Sequence, residues 1–337
     1  MRTAIRFCKW HARNLIIRAA IISLATLVRL LPSSALMPLG RGLGRSVYAI
    51  LPWRLKFLRS NARMVASGRQ FECAAYEHLG CALVLALLPP ERAAQLGRAA
   101  RVDTGGHQAL ESLRHDLGAG GVVLCTAHVG VWEMLPGVLA PLLPLHTCGQ
   151  ALCIYRPLHD PWLDAFLRVR RRASGLTLLP SQGSLPQLCD AVEAGGAVGL
   201  VADQRPSARR GAVAARFLGR AAAFSPGLGL LHRRTGAPVW FAALMLEPKP
   251  PRAADARPEG PQHAATGPAL RLHLDRLAPR AAPMSAPAAP ESDPDDELKV
   301  EGGDCARLAA LTQAYADALH QLVTREPAAY FWFKSHM

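Results

Sequence analysis

The sequence predicts an α/β fold in which a mainly parallel central sheet is flanked by helices and preceded by an N-terminal membrane-anchor helix. Half of the 337 residues are hydrophobic, which is enough to build a large core. Short apolar runs alternate with helical patterns between residues 107 and 247, and this alternation is typical of parallel sheets. A basic segment followed by an apolar one stands at the N-terminus, which indicates the anchor.

The anchor is predicted from a short apolar stretch with charges at both ends. Four basic residues precede Leu15–Leu31, a mostly apolar stretch that contains Arg18 and Arg29. Its charge-free part, Ala19–Val28, is shorter than the roughly 18–20 residues of a clean membrane span, so both arginines would reach the interface from the ends. We expect residues 1–32 to form a basic segment and anchor that spans the membrane or lies in its interface, with a soluble helix as the alternative.

Residues 39–88 are expected to be helical. The glycines of Gly40–Gly44 lack the spacing of a dinucleotide-binding loop, and no clear strand precedes them. Apolar residues then recur at helical spacing with basic residues between them: Leu55, Leu58, Ala62 and Val65. This pattern predicts a basic amphipathic helix suited to an anionic membrane surface, and an ordinary packed surface helix is an equally good interpretation.

The period of the apolar residues predicts the remaining elements. The predicted strands are Gly121–Ala127, Ala151–Tyr155, Leu176–Leu179, Ala197–Ala202 and Pro238–Leu246. The predicted helices between them are Val131–Leu143, Pro161–Ser174, Leu185–Ala194 and Pro226–Thr235. Residues 248–303 are rich in proline and alanine, and we expect an insertion of two mobile loops around one strand, Leu270–Leu274. An amphipathic helix from Leu308 to Leu322 follows, so residues 33–337 are predicted to form one catalytic domain.

The main candidate for chemistry is the stretch from His128 to Glu133, which follows a predicted buried strand. Open α/β sheets usually bind ligands at such strand ends. On one ideal helix the two side chains would diverge by roughly 140°, so His128 must lie on the turn, with Gly130 supplying the bend. A carboxylate that binds one ring nitrogen fixes the tautomer and raises the basicity of the other. The pair predicts a general base without a nucleophilic Ser or Cys; a half-buried His and a solvent-facing Glu are the alternative.

Two other strand ends and one helix carry candidate binding residues. Arg156 follows a strand and suits a phosphate or carboxylate, or a surface salt bridge. Arg171 belongs to a run of arginines on one predicted helix, a pattern that usually marks a solvated face. Asp203 and Gln204 follow the strand Ala197–Ala202; Asp203 would orient an arginine, hold a substrate hydroxyl, or cap the next turn.

The composition narrows the class of partner. The net charge of +14 favours anionic partners: nucleic acid, an anionic membrane surface or an acidic protein. Aromatic residues make up only 6% of the chain, so no stacking platform for nucleic acid is evident and no nucleic-acid partner is expected. Serine-hydrolase, P-loop and zinc-protease motifs do not occur, and no metal or cofactor is expected. The eight cysteines form no CxxC pair and are expected to be free thiols.

Taken in order, these residues resemble the bacterial lipid A late acyltransferases of the lauroyl/myristoyl type, within the HxxxxD/E glycerolipid acyltransferases. The resemblance runs from about residue 15 to 333, and Glu133 stands where phosphoglycerol acyltransferases have Asp. Besides the N-terminal anchor it includes Gly40–Gly44, Arg59–Asn61, His128–Glu133, Tyr155–Pro157, Arg171–Gly175, Asp203–Gln204, Phe217–Gly219 and Tyr330–Trp332. The chain departs from the family at Val131, commonly Asn, and in its last residues, where the family has a His-Arg-Arg cluster that suits a bis-phosphorylated acceptor.

The resemblance implies an acyltransferase of the cell inner membrane with its catalytic domain on the cytoplasmic side. It would move a fatty acyl chain from acyl carrier protein, or from acyl-CoA, to a hydroxyl of a lipid A precursor, an amphipathic glycolipid. His128 would be the general base, Glu133 would orient it, and Arg156, Arg171, Asp203 and Gln204 would position substrate. The alternatives are the same fold acting on another glycolipid or an aminolipid, and a non-catalytic membrane-surface protein.

Overall fold

The computed structural model describes residues 2–50, 54–103, 106–143, 150–204, 206, 211–247, 267–282 and 302–333. The helices are α1 Arg2–Leu30, α2 Ser33–Ile50, α3 Leu55–Ala62, α4 Arg69–Ala86, α5 Pro90–Arg98, α6 Gly106–Gly118, α7 Leu135–Leu139, α8 Pro161–Ala173, α9 Leu185–Glu193, α10 Gly227–Thr235 and α11 Gly302–Arg325. The strands are β1 Arg101–Val102, β2 Val122–Thr126, β3 Ala151–Tyr155, β4 Leu176–Pro180, β5 Ala197–Val201, β6 Val213–Phe217, β7 Arg220–Phe224, β8 Val239–Leu246 and β9 Leu270–Ala278.

The central sheet has the order β1-β9-β8-β2-β5-β3-β4. All neighbouring strands are parallel except β8 and β9, which pair antiparallel. The predicted α/β class with a mainly parallel sheet flanked by helices is therefore confirmed, and each predicted strand is present within two residues of its predicted start. The strand predicted at Leu270–Leu274 is longer than expected and ends at Ala278.

Two elements differ from the prediction. The helix expected over Val131–Leu143 is a 3₁₀ turn, Trp132–Met134, followed by the short α7. Prolines in this segment lack the backbone N–H that a longer helix would need. The hairpin of β6 and β7 was not predicted; its two-residue turn has Leu218 at φ 50° and Gly219 at φ 77°, left-handed values that hairpin turns favour.

The sheet separates two apolar cores because successive side chains of a strand point to opposite faces. In β8, Phe241 belongs to the core that includes Tyr315 of α11, whereas Trp240 belongs to the core that includes Leu113 of α6. Both faces of β8 are thus covered by helices, which explains its continuous apolar run. Burial of each large apolar side chain contributes about 1.5–3 kcal/mol, so both layers stabilise the central strands on which the site is built.

The glycines near residue 40 serve helix packing. A Cβ on Gly44 would lie 2.2 Å from the carbonyl oxygen of Tyr76, and a Cβ on Gly80 would lie 2.1 Å from that of Gly40. Helices α2 and α4 therefore cross in backbone contact, which only glycine at these positions permits. This close crossing supports the absence of a dinucleotide loop here.

Helix α1 carries the residues predicted to form the membrane anchor. Leu15, Ile16 and Leu30 are among its exposed apolar side chains, and Arg18 forms an ion pair of 2.9 Å with Asp160. Among the helices of the described ranges, none alone is long and apolar enough to cross a membrane; α4 and α5 meet that test only as a pair bent by 115°. The anchor and the boundary at residue 32 stay predictions. Of the predicted insertion, residues 267–282 and 302–303 lie within the described part.

Candidate active site

The candidate site is built where two neighbouring parallel strands end. Strand β2 pairs with β5 so that Thr126 lies opposite Val201. His128 and Asp203 each follow two residues later, so the register brings them to the same place at the carboxyl edge of the sheet. This edge is where ligands bind in open α/β sheets.

Asp203 holds His128 by two hydrogen bonds. The ring Nδ1 lies 2.8 Å from one carboxylate oxygen, and the backbone N–H of His128 donates to the other at 3.0 Å. The side chain of Asp203 is fully buried, and that of His128 is 19% exposed. A carboxylate only accepts, so it places the ring proton on Nδ1 and leaves the lone pair on Nε2. The arrangement gives a general base with a fixed tautomer.

Two buried tyrosines lie around the carboxylate of Asp203. Burial and the negative charge of Asp203 raise the pKa of Tyr330 well above its ordinary value. Burial and the same charge raise the pKa of Tyr315, whose hydroxyl donates to the Thr126 carbonyl at 3.0 Å. Both phenols therefore stay neutral beside this carboxylate.

Glu133, predicted to orient His128, is held elsewhere. Its two carboxylate oxygens accept from the guanidinium of Arg171 at 2.6 and 3.1 Å, a bidentate pair. Both side chains are about three-quarters buried. Burial lowers the pKa of Arg171, but the hydrogen bond and charge of Glu133 outweigh this, so the pKa is raised overall. The expectation that Glu133 holds the ring of His128 is wrong. The Glu133 carboxylate pairs with Arg171 of α8, and Asp203 holds the ring instead.

The arginine run of α8 is divided among separate partners and does not form one solvated face. Arg168 lies 3.8 Å from Asp164, one turn earlier on the helix. Arg170 donates to the carbonyls of Ala86 and Leu88, at the C-terminal end of α4, where a cation complements the helix dipole. Arg170 therefore joins α8 to the end of α4, and Arg171 joins α8 to Glu133 beside the site.

Arg156 and Gln204 occupy different positions relative to the base. Arg156 is exposed just after β3. The side-chain nitrogen of Gln204 lies 3.1 Å from His128 Nε2, so Gln204 directly contacts the base. The structure thus brings together His128, Asp203 and Gln204, and it places Glu133 and Arg171 in an adjacent pair.

The turn after His128 depends on glycine. Gly130 has φ 63°, and a Cβ there would lie 2.0 Å from the carbonyl oxygen of Leu244. That carbonyl accepts from the N–H of Val131 at 2.7 Å, which joins the turn to β8. His78 contacts the Gly130 carbonyl through Nε2 at 3.1 Å, and burial lowers the pKa of His78. His78 was not predicted from the sequence, where nothing separates it from other histidines on helices.

The C-terminal segment, Ala329–Phe333, forms one wall of the site. The N–H of Phe331 donates to the carbonyl of His128 at 2.9 Å, and Val129 pairs with Tyr330 in an antiparallel bridge. The rings of Trp132 and Phe331 lie 5.3 and 6.1 Å from the imidazole. These two rings lie 5.8 Å from each other, so together they cover one side of the imidazole.

A solvent-open cleft lies beside the Glu133–Arg171 pair. Its apolar lining includes Leu85 and Leu88 from the end of α4, Met134, and Leu167 of α8. A cleft that combines an apolar wall with one ion pair suits an elongated apolar group with a polar end.

The sequence comparison identifies the family of the chain. The model of a family described as bacterial lipid A biosynthesis acyltransferase matches residues 8–249, well over half of the chain, including His128, Glu133, Asp203 and Gln204. No curated protein matches the chain at a significant level. The chain therefore belongs to the bacterial lipid A biosynthesis acyltransferase family and is an acyltransferase.

Proposed function

We propose that the protein transfers a fatty acyl chain from an acyl thioester to a hydroxyl of a lipid A precursor, with His128 as general base. The observation that carries the proposal is the His128–Asp203 pair, which leaves the Nε2 lone pair as proton acceptor. The acceptor hydroxyl gives its proton to Nε2 as its oxygen attacks the thioester carbonyl. The tetrahedral intermediate then expels the thiolate, which takes that proton from the imidazolium and leaves as a thiol.

Asp203 stabilises the positive charge that forms on His128 during the reaction. The carboxylate is buried, and in such surroundings the attraction between unlike charges is stronger than in water. Glu133 and Arg171 act beside the base: they fix the mouth of the cleft, whose apolar lining suits the acyl chain. Arg156, exposed at the neighbouring strand end, is available to an anionic group of either substrate.

For the donor we favour acyl carrier protein over acyl-CoA. The net charge of +14 attracts an acidic protein, and such attraction weakens as salt screens it. Equal amounts of acyl carrier protein and acyl-CoA carrying the same chain should be compared at low and moderate salt. A preference for acyl carrier protein that salt reduces supports this donor; equal or better use of acyl-CoA would contradict it.

We also propose attachment to the cytoplasmic side of the cell inner membrane through residues 1–32, with α3 as a second contact. Helix α1 exposes Leu15, Ile16 and Leu30, and α3 exposes Phe57 beside basic residues. Asn61 of α3 donates to the carbonyl of Trp332, so the α3 surface lies close to the C-terminal wall of the site. An acceptor held in the membrane would reach the base from this side.

The acyltransferase proposal is tested by mass spectrometry of membrane lipids from cells with the wild-type chain and with His128→Ala. The wild type should add the mass of one acyl chain to lipid A, and His128→Ala should lower the initial rate about 100- to 10,000-fold. Normal turnover by His128→Ala would overturn the mechanism. An added acyl chain on another lipid would favour the second acceptor class, and no acylated lipid in either strain would favour a non-catalytic protein.

The membrane proposal is tested by flotation with anionic vesicles. The full chain should float at low and high salt, whereas a chain lacking residues 1–32 should float only at low salt, because its remaining contact is electrostatic. Equal flotation of both chains at high salt would show that residues 1–32 are not the anchor.

A further inference from the structure

The contact between Gln204 and the base has a defined direction. Asp203 places the proton of His128 on Nδ1, so Nε2 offers only a lone pair. The Gln204 atom 3.1 Å away is the amide nitrogen, which is a donor. Gln204 therefore donates to the same lone pair that would accept the proton of the acceptor hydroxyl.

The same contact occupies the place at the base that a water molecule would take. The amide nitrogen of Gln204 lies at hydrogen-bond distance from Nε2, and the rings of Trp132 and Phe331 cover one side of the imidazole. A water molecule at that position would be activated just as a hydroxyl is. It would attack the thioester and release a free fatty acid and a thiol, so the acyl donor would be lost.

Gln204 is also well placed to move aside. It directly follows Asp203, whose buried carboxylate is fixed by two hydrogen bonds, but its own side chain is only half-buried. A hydrogen bond between neutral groups contributes little net free energy, so an acceptor hydroxyl can replace it. The base stays fixed while its hydrogen-bond partner is exchanged.

We propose that Gln204 is a displaceable cap on the His128 base that suppresses hydrolysis of the acyl donor until the acceptor hydroxyl takes its place. The inference rests on the proposed function, because it assumes an acyl thioester and a hydroxyl acceptor. It makes Gln204 a positioning residue that controls the choice between water and lipid.

The test compares thioester hydrolysis with acyl transfer in the full-length enzyme. Gln204→Ala should raise the ratio of hydrolysis to transfer about tenfold, the effect of losing one hydrogen bond of this kind. Gln187→Ala, an exposed glutamine on α9, is the matched control and should keep the wild-type ratio. The double variant His128→Ala/Gln204→Ala should lose the added hydrolysis, because it runs through the base. An unchanged ratio in Gln204→Ala would overturn the proposal.

A second readout does not depend on turnover. In protein labelled with ¹⁵N-histidine, Gln204→Ala should shift the Nε2 resonance of His128 and leave Nδ1 on its carboxylate. Gln204→Asn, whose shorter amide does not reach Nε2, should give the same shift. If neither substitution changes the Nε2 chemical shift of His128, the proposed cap is refuted. If the wild type transfers no acyl chain but both shifts occur, the cap stands and the proposed function fails.

Discussion

The substitution Asp203→Asn tests whether this carboxylate fixes the tautomer of His128 or is only a buried charge. The carboxylate accepts from the ring Nδ1 at 2.8 Å and from the backbone N–H of the same residue at 3.0 Å. An amide of the same size offers one acceptor oxygen and one NH₂ donor. If the NH₂ faces the ring, Nδ1 must accept and the proton moves to Nε2, so the base loses its lone pair. If it faces the backbone, a buried N–H loses its acceptor.

Both arrangements have a definite cost. Loss of the carboxylate that fixes the tautomer of a His base lowers turnover by about 10⁴-fold, equivalent to about 5.4 kcal/mol at about 1.36 kcal/mol per factor of ten. A buried donor left without an acceptor destabilises the fold by about 1–3 kcal/mol. The orientation with the NH₂ towards the ring keeps both hydrogen bonds and is therefore favoured, so we expect Asp203→Asn to fold with nearly wild-type stability and to lose nearly all acyl transfer.

The assay is the initial rate of acyl transfer at saturating donor, with thermal unfolding measured on the same samples. Asp190→Asn, an exposed aspartate on α9, is the matched control and should retain the wild-type rate and stability. Turnover by Asp203→Asn within about tenfold of the wild type would refute the dyad, because that loss is far below the cost of a wrong tautomer.

Three further predictions concern the surroundings of the base. Glu133→Gln and Arg171→Gln should be strongly coupled, by about 1–3 kcal/mol in unfolding free energy, and additive effects in the double variant would contradict their pairing. Gly130→Ala should destabilise the protein far more than Gly183→Ala, since both have positive φ but only Gly130 meets a carbonyl at 2.0 Å; equal melting temperatures would contradict this. Burial lowers the pKa of His78, so the unfolded chain binds a proton below about pH 6.5 that the folded chain does not. The free energy of unfolding of the wild type should therefore fall more from pH 7.5 to 5.5 than that of His78→Gln, whose amide can still donate to the Gly130 carbonyl. An equal fall in both proteins would show that His78 does not cause the pH dependence.

The central strands were predictable because they are buried on both faces. Strands such as Val122–Thr126 and Val239–Leu246 read as continuous apolar runs bounded by turn residues. The hairpin of Val213–Phe217 and Arg220–Phe224 gave no such signal, since its alanines and arginines suit any element. Its turn uses Leu-Gly where hairpins usually show Asn-Gly, so the local signal was weak as well.

The positions of the site residues were predictable, but their pairing was not. His128 and Asp203 were each expected at a strand end, and both are there. Sequence spacing favoured Glu133 as the partner of His128 because it lies five residues away. Asp203 is 75 residues away, and only the adjacency of β2 and β5 in the sheet makes it a neighbour. Strand order is a long-range property that apolar periodicity does not encode.

The base is fixed by segments from both ends of the chain, although the family match stops at residue 249. The N–H of Gly130 donates to the carbonyl of Ala329, and that of Phe331 donates to the carbonyl of His128. Asn61 in turn binds the carbonyl of Trp332. The turn that carries the base is therefore held between β8 on one side and the C-terminal segment on the other. The residues beyond the family match therefore support the turn that carries the base, and they do so through backbone hydrogen bonds that many different side chains would permit.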